Sequence, residues 1–295
     1  MFVLNRVNFI KIITGSILMS NINSFYNWSN SLLETDQKMP VLFIGHGSPM
    51  NAIEDNEFSK RWQQMGQEIP KPKAVIVVSA HWLTQGTAIT AMSQPKTIHD
   101  FGGFPQALFD VQYPAPGDPN LANEIQKMVT NPSLVLDHEW GLDHGTWSVV
   151  KHMYPKADIP VLQLSIDYHK PAKYHYELAK QLLSLRKKGV LIIGSGNMVH
   201  NLSKVAWNKL NEPEYGYDWA LEMNAVFKQK ISTRNHSELI AYEKLNKAVR
   251  LAIPTPDHYY PLLYILALQT DNDEVAFFND KTVGGSLTMT SVKIG

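Results

Sequence analysis

The chain has 295 residues, 44% of them hydrophobic and 18% charged, enough apolar material to bury a sizeable core in one large domain or two modest ones. Its 27 Lys and Arg balance its 27 Asp and Glu, so no basic excess points to nucleic acid, and no polyanionic partner is expected. The absence of cysteine excludes disulfides and thiolate zinc sites, and it fits a reducing, cytoplasmic setting.

Residues 1–38 read as an N-terminal extension, distinct from a domain over 39–295. Val7 to Met19 is weakly apolar but is interrupted by Lys11, and about 13 residues is too short to cross a bilayer. A signal peptide is one reading, and a start at Met19 or Met39 is the other. From Pro40, apolar runs alternate with helical stretches. Val41–Ile44, Ala74–Ser79, Val161–Ile166 and Val190–Ile193 are short continuous apolar runs, as expected of strands covered on both faces. Asp118 and Pro119 predict a helix cap and first turn for a stretch to about Val129. Pro171 to Lys188 is periodic, with basic residues in its last turn and Gly189 as a stop, and predicts one long helix. Tyr217–Ile231 and Ser237–Ala252 predict two more, and Gly285–Ile294 predicts a strand with one polar face. The fold class is therefore α/β, a mixed, largely parallel sheet flanked by helices in a single domain.

The histidines carry the functional signal. His46 and His81 directly follow apolar strand runs, where the chain is expected to leave the sheet. His200 follows Gly194-Ser-Gly-Asn-Met-Val199, and His258 lies in the proline-fenced turn Pro254-Thr-Pro-Asp-His258 before an apolar helix. Ligands of open α/β sheets bind at the carboxyl ends of strands, so these rings can converge although far apart in sequence. Neutral imidazoles suit a divalent first-row metal. A lone histidine at a strand end is usually structural, but four at equivalent places favour a metal centre. His144, in Gly141-Leu-Asp-His-Gly145, fits an acid/base group, an orienting group or a structural one. His99 lies in a loop with Gly102, Gly103 and two phenylalanines, which suits either a lid or an inert turn. His138, His152, His169, His175 and His236 show no pattern and read as surface residues. Ser48 is not a Gly-x-Ser-x-Gly nucleophile, and no dinucleotide or phosphate-cradling loop is present.

Gly45-His-Gly-Ser-Pro-Met50, Ser79-Ala-His-Trp82, His99-Asp-Phe-Gly-Gly-Phe-Pro105, Asp143-His-Gly145, Gly196-Asn-Met-Val-His-Asn201 and Pro254-Thr-Pro-Asp-His258 occur in one order. This set closely resembles the DOPA-type extradiol aromatic ring-opening dioxygenases, from about Met39 to Gly295. The resemblance implies that His46, His81 and His258 hold the metal. It implies that His200 is the acid/base, countable as a fourth ligand when zinc is bound, and that His144 is a further active-site group. It implies one divalent metal, Fe(II) for activity with Zn(II) as a possible occupant, and a small-molecule catechol with O2 as substrates, DOPA opened at its 4,5 bond being the type reaction. One departure stands out: non-haem iron usually takes two histidines and a carboxylate, whereas here the third ligand reads as His258, with Asp257 beside it. A zinc-dependent hydrolase and a non-enzymatic metal-site protein are the two competing readings, the former separated by turnover without dioxygen and the latter by whether the metal keeps open coordination positions once His200 is placed.

Overall fold

The computed structural model describes residues 38–295 apart from Asn211 and Pro213, so the expectations for the N-terminal extension lie outside the described residues except at Lys38. Eight strands form one sheet in the order β4-β3-β5-β2-β6-β1-β10-β7. Its centre is β1 (Val41–Gly45), β2 (Ala74–Thr84), β5 (Val161–Asp167) and β6 (Val190–Gly196), all mutually parallel where they pair. β3 (Ala88–Thr90) and β4 (Val135–Asp137) extend one edge, and β7 (Val275–Phe278) and β10 (Ser291–Ile294) extend the other as antiparallel strands. The sheet is mixed and largely parallel at its centre, as the apolar runs predict.

Alternation along the central strands explains why those runs are continuously apolar. Val41, Phe43, Ile76, Val78, Leu162, Leu164, Val190 and Ile192 enter one core layer, and Leu42, Ile44, Val75, Val77, Val161, Leu191 and Ile193 the other. Helices close both layers. α1 (Glu57–Glu68) and α3 (His144–Met153) cover the second with Trp62, Met65, Trp147 and Val150. α2 (Pro119–Met128), α4 (Ala172–Lys180), α5 (Asp218–Ser232) and α6 (Tyr260–Ala267) cover the first. Asp118 caps α2 as predicted, its carboxylate accepting from the N–H groups of Asn120 and Leu121. α6 is buried along its whole length, which accounts for its unbroken apolar sequence.

Three predicted elements come out shorter. The Pro171–Lys188 helix stops at Lys180 and resumes as a 3-10 turn over Leu183–Arg186. Arg186 is the reason: it is fully buried, donating to the carbonyls of Met39 and Leu268 and to Asp273, so it is no solvated last-turn cation. The Ser237–Ala252 helix is divided among His236–Ile240, Tyr242–Lys244 and Val249–Ala252. The Asn246 side chain accepts from Val249 N–H, and such side-chain bonding competes with helix continuation. The C-terminal strand is split into β9 (Leu287–Thr288), paired with β8 (Thr282–Val283), and β10. Its polar residues Thr288, Thr290 and Ser291 are buried rather than facing solvent. Among the described residues, no helix is long and apolar enough to cross a membrane.

Candidate functional site

The parallel strands β1, β2 and β6 direct their carboxyl ends to one edge of the sheet, and the histidines collect there. His46 follows β1 directly. His81 does not leave the sheet as expected: β2 continues to Thr84, and His81 sits where its register against β5 shifts between Val78 and Leu83. A bulge of this kind re-aims a side chain without ending the strand. His258 lies against the end of β6, its carbonyl accepting from Asn197 N–H at 3.1 Å. That approach requires glycine at position 196, since a Cβ there would stand 2.2 Å from the His258 carbonyl oxygen.

The ring centroids of His46, His81 and His258 form a nearly equilateral triangle with sides of 5.0, 5.1 and 5.1 Å. Which nitrogens face inward follows from their partners. Ser195 Oγ gives its proton to the Gly145 carbonyl at 2.5 Å, so at 2.9 Å from His46 Nδ1 it can only accept. Asn197 donates its amide to the Thr288 carbonyl, leaving Oδ1 to accept from His258 Nδ1 at 3.2 Å. His81 Nδ1 faces a carboxylate oxygen of Asp100 at 3.4 Å. All three rings therefore carry hydrogen on Nδ1 and point an Nε2 lone pair at the shared centre. His46 Nε2 and His81 Nε2 are 3.1 Å apart, a contact that is repulsive between two lone pairs. A cation on the shared side turns that repulsion into coordination, so these donors fit a divalent metal, with the second nitrogens held as in many histidine metal sites.

Electrostatics point the same way. Burial, reinforced by repulsion from His81, His144 and His200, pushes His46 well below its ordinary value, and burial does the same to His258 with help from its neighbouring histidines. His81 is pushed down to about 3, mainly by burial. Neutral imidazole is the ligand form. Among the described residues, the ligand atoms of His46, His81 and His258 lie within 4.8 Å of one another, as do those of His81, Asp100 and His144, and those of His200, Asp257 and His258.

The other candidates adjoin the triangle. His200 stacks flat on His258, centroids 3.5 Å apart and planes at 6°, outside the three-ring group. Asp257 reaches within 3.8 Å of His258 Nε2. His144 packs 3.9 Å from His81 and is tied to Asp100. The His99 ring instead faces the Val111 carbonyl at 2.9 Å, while Gly102, Gly103 and Phe104 from its loop line the cavity. Asp143 is the helix cap of α3, buried beneath Ser79 and Gln163. Ser195, Asn197 and Asp100, the groups that orient the rings, escaped the sequence reading. The alternation Ser195, Asn197 at the end of a strand run was the available signal.

His175 corrects the surface reading, for it is fully buried between Tyr260 and Tyr264. Burial pushes His175 and His200 each down to about 4. Both folded values lie below the unfolded value of about 6.5, so their stabilising contribution is complete above that pH and is lost as pH falls toward 4. Each ring costs about 1.4 kcal/mol per pH unit within that window. From these two rings alone, chelator-treated protein should therefore lose roughly 2–3 kcal/mol of unfolding free energy between pH 6 and pH 5, and the depressed rings of His46, His81 and His258 add to that loss. Urea midpoints at the two pH values measure this, and equal midpoints would mean that both rings are solvated.

The five histidines 46, 81, 144, 200 and 258 line one cavity of about 900 Å³. Residues 40–289 match the family described as the catalytic LigB subunit of aromatic ring-opening dioxygenase. The chain is 46% identical over 268 residues to the 4,5-DOPA dioxygenase extradiol of Escherichia coli (strain K12), covering 90% of this chain and 97% of that one. It is 35% identical to the Beta vulgaris protein of the same name, covering 88% and 97%. The crystal structure of an uncharacterized protein from Escherichia coli K12 superposes with a TM-score of 0.76 at 41% identity, covering 88% of this chain and all of that one. With two-thirds of its length and more shared with such relatives, the chain belongs to the aromatic ring-opening dioxygenase family of the catalytic LigB subunit and is an oxidoreductase of the extradiol dioxygenase type.

Proposed function

We propose that this enzyme is a metal-dependent extradiol dioxygenase that inserts both atoms of O2 into a catechol, with DOPA opened at its 4,5 bond to seco-DOPA as the lead substrate. The reading is carried by the convergence of the His46, His81 and His258 lone pairs on the floor of a cavity of about 900 Å³. Those three residues would hold one divalent ion, and Fe(II) there would supply the electron transfer between catechol and dioxygen that redox-inert zinc cannot.

The chain's own groups account for binding and proton transfer. Met50, Phe58, Phe104, Leu287 and Met289 line the cavity and offer apolar surface to a flat ring. A catechol must shed phenolic protons to bind as a catecholate, and His200 and His144 line the same cavity. We assign His200 the acid/base role, because burial keeps it neutral at pH 7 and its stack on His258 holds it beside the triangle. His144 is the accessory group. Lys281 Nζ lies 2.8 Å from Glu57 and 3.4 Å from Glu214, and all three residues line the cavity. Charges of both signs there suit an amino-acid side chain on the catechol, in keeping with relatives named for DOPA.

Protein loaded with Fe(II) under anaerobic conditions should consume one O2 per catechol when air is admitted and turn the solution yellow. DOPA should be among the better substrates of a panel varied in side-chain charge. No oxygen uptake across the panel, with one iron bound per chain, would reject the reading. Turnover that persists without dioxygen would favour a zinc hydrolase on the same ligands.

A further inference from the structure

Asp100 stands outside the three-histidine triangle, yet it touches two of the cavity histidines at once. Its Oδ1 accepts from the backbone N–H of His144 at 2.8 Å, and its Oδ2 accepts from His144 Nδ1 at 2.9 Å. The same Oδ2 lies 3.4 Å from His81 Nδ1. An ionised carboxylate has only acceptors, so both rings must turn an N–H toward it and leave Nε2 for the cavity. Neutral imidazole has two tautomers, and which one is present is set by the bond the other nitrogen makes.

The surroundings make the arrangement tight. The Asp100 side chain is only 17% exposed. Gly145, next to His144, abuts the same ligand: a Cβ there would lie 2.9 Å from His81 Cδ2 and 2.6 Å from Ser79 Oγ. Asp100 also fastens the first residue of α3 through His144 N–H, an amide that the helix itself cannot satisfy. Two residues further on, Gly102, Gly103 and Phe104 line the cavity.

We propose that Asp100 is a positioning residue for ring opening: one carboxylate sets the tautomer and aim of both His81 and His144 and ties them to the loop that walls the cavity. The inference rests on the reading of His81 as a metal ligand. Asp100 acts through His81 on metal affinity and through His144 on turnover, so its two effects are separable.

The test uses Asp100→Asn in the full-length chain. Asparagine keeps the shape but removes the charge and replaces one acceptor with a donor, so it cannot serve the His144 backbone N–H and both rings together. With Zn(II) as the probe, in competition with a chromophoric chelator, affinity should fall about 10–100-fold, the usual cost of losing a group that orients a metal-bound histidine. At saturating iron, kcat should fall by a similar factor while KM for the catechol changes less than about threefold, the pattern of a lost transition-state interaction. In a His144→Ala background, adding Asp100→Asn should still weaken zinc binding but lower kcat no further. Asp100→Ser serves the same comparison if the amide disturbs folding, which thermal unfolding of the apoprotein reports. A folded Asp100 variant with wild-type zinc affinity and wild-type kcat overturns the proposal. Wild-type protein that binds no zinc overturns instead the metal reading on which it stands.

Discussion

Replacing any one of His46, His81 or His258 with alanine is expected to abolish oxygen consumption and stoichiometric metal binding together. Each contributes one of three inward lone pairs, and no other described histidine belongs to that group of mutually close donors. Two imidazoles alone would be left, at sites where burial already keeps them neutral and where the Ser195, Asn197 and Asp100 partners cannot turn inward to substitute. Activity should drop to background, below the roughly two to four orders of magnitude typical of losing a proton-transfer group. Metal per chain by elemental analysis, taken beside oxygen uptake, is the measurement. A His46→Ala protein that keeps one tightly bound ion and measurable turnover would exclude this triangle as the metal centre.

For His200 the expected pattern is different. His200→Ala should retain the metal while lowering kcat by about two to four orders of magnitude. Loss of a ring stacked 3.5 Å from His258 could also loosen a ligand, so His200→Phe is the more telling variant. Phenylalanine preserves a flat ring against His258 and removes both nitrogens. If the phenylalanine variant holds iron as the wild type does but turns over slowly, His200 works by moving protons. If both variants come out empty, the ring is a ligand first, as the fourth-ligand reading of the sequence had it.

Much of this architecture is legible in the chain before any coordinates. The four runs Val41–Ile44, Ala74–Ser79, Val161–Ile166 and Val190–Ile193 are apolar at most positions because each strand feeds two core layers, and that pattern survives in one dimension. What was lost depended on contacts across the fold. Nothing local marks Arg186 as buried, because the carbonyls of Met39 and Leu268 and the carboxylate of Asp273 that receive it are distant in sequence. His81 reads as a strand exit because an apolar run halts there, whereas a bulge lets β2 run on to Thr84. In the loop at Thr97–Pro105 the eye falls on His99, whose ring bonds the Val111 carbonyl, and passes over its neighbour Asp100. A carboxylate that serves two rings, one in β2 and one opening α3, has no signature in spacing.

The flat stack of His200 on His258 bears on how long a proton can stay at the site. A proton taken up by His200 would place positive charge against the face of a neighbouring ring, in surroundings too dry to dissipate it. In the role assigned to it here, His200 is thus a poor store and a good courier: what it lifts from the incoming phenol it is driven to hand on within the same turnover, so deprotonating the substrate and protonating the opened product become two halves of one loan.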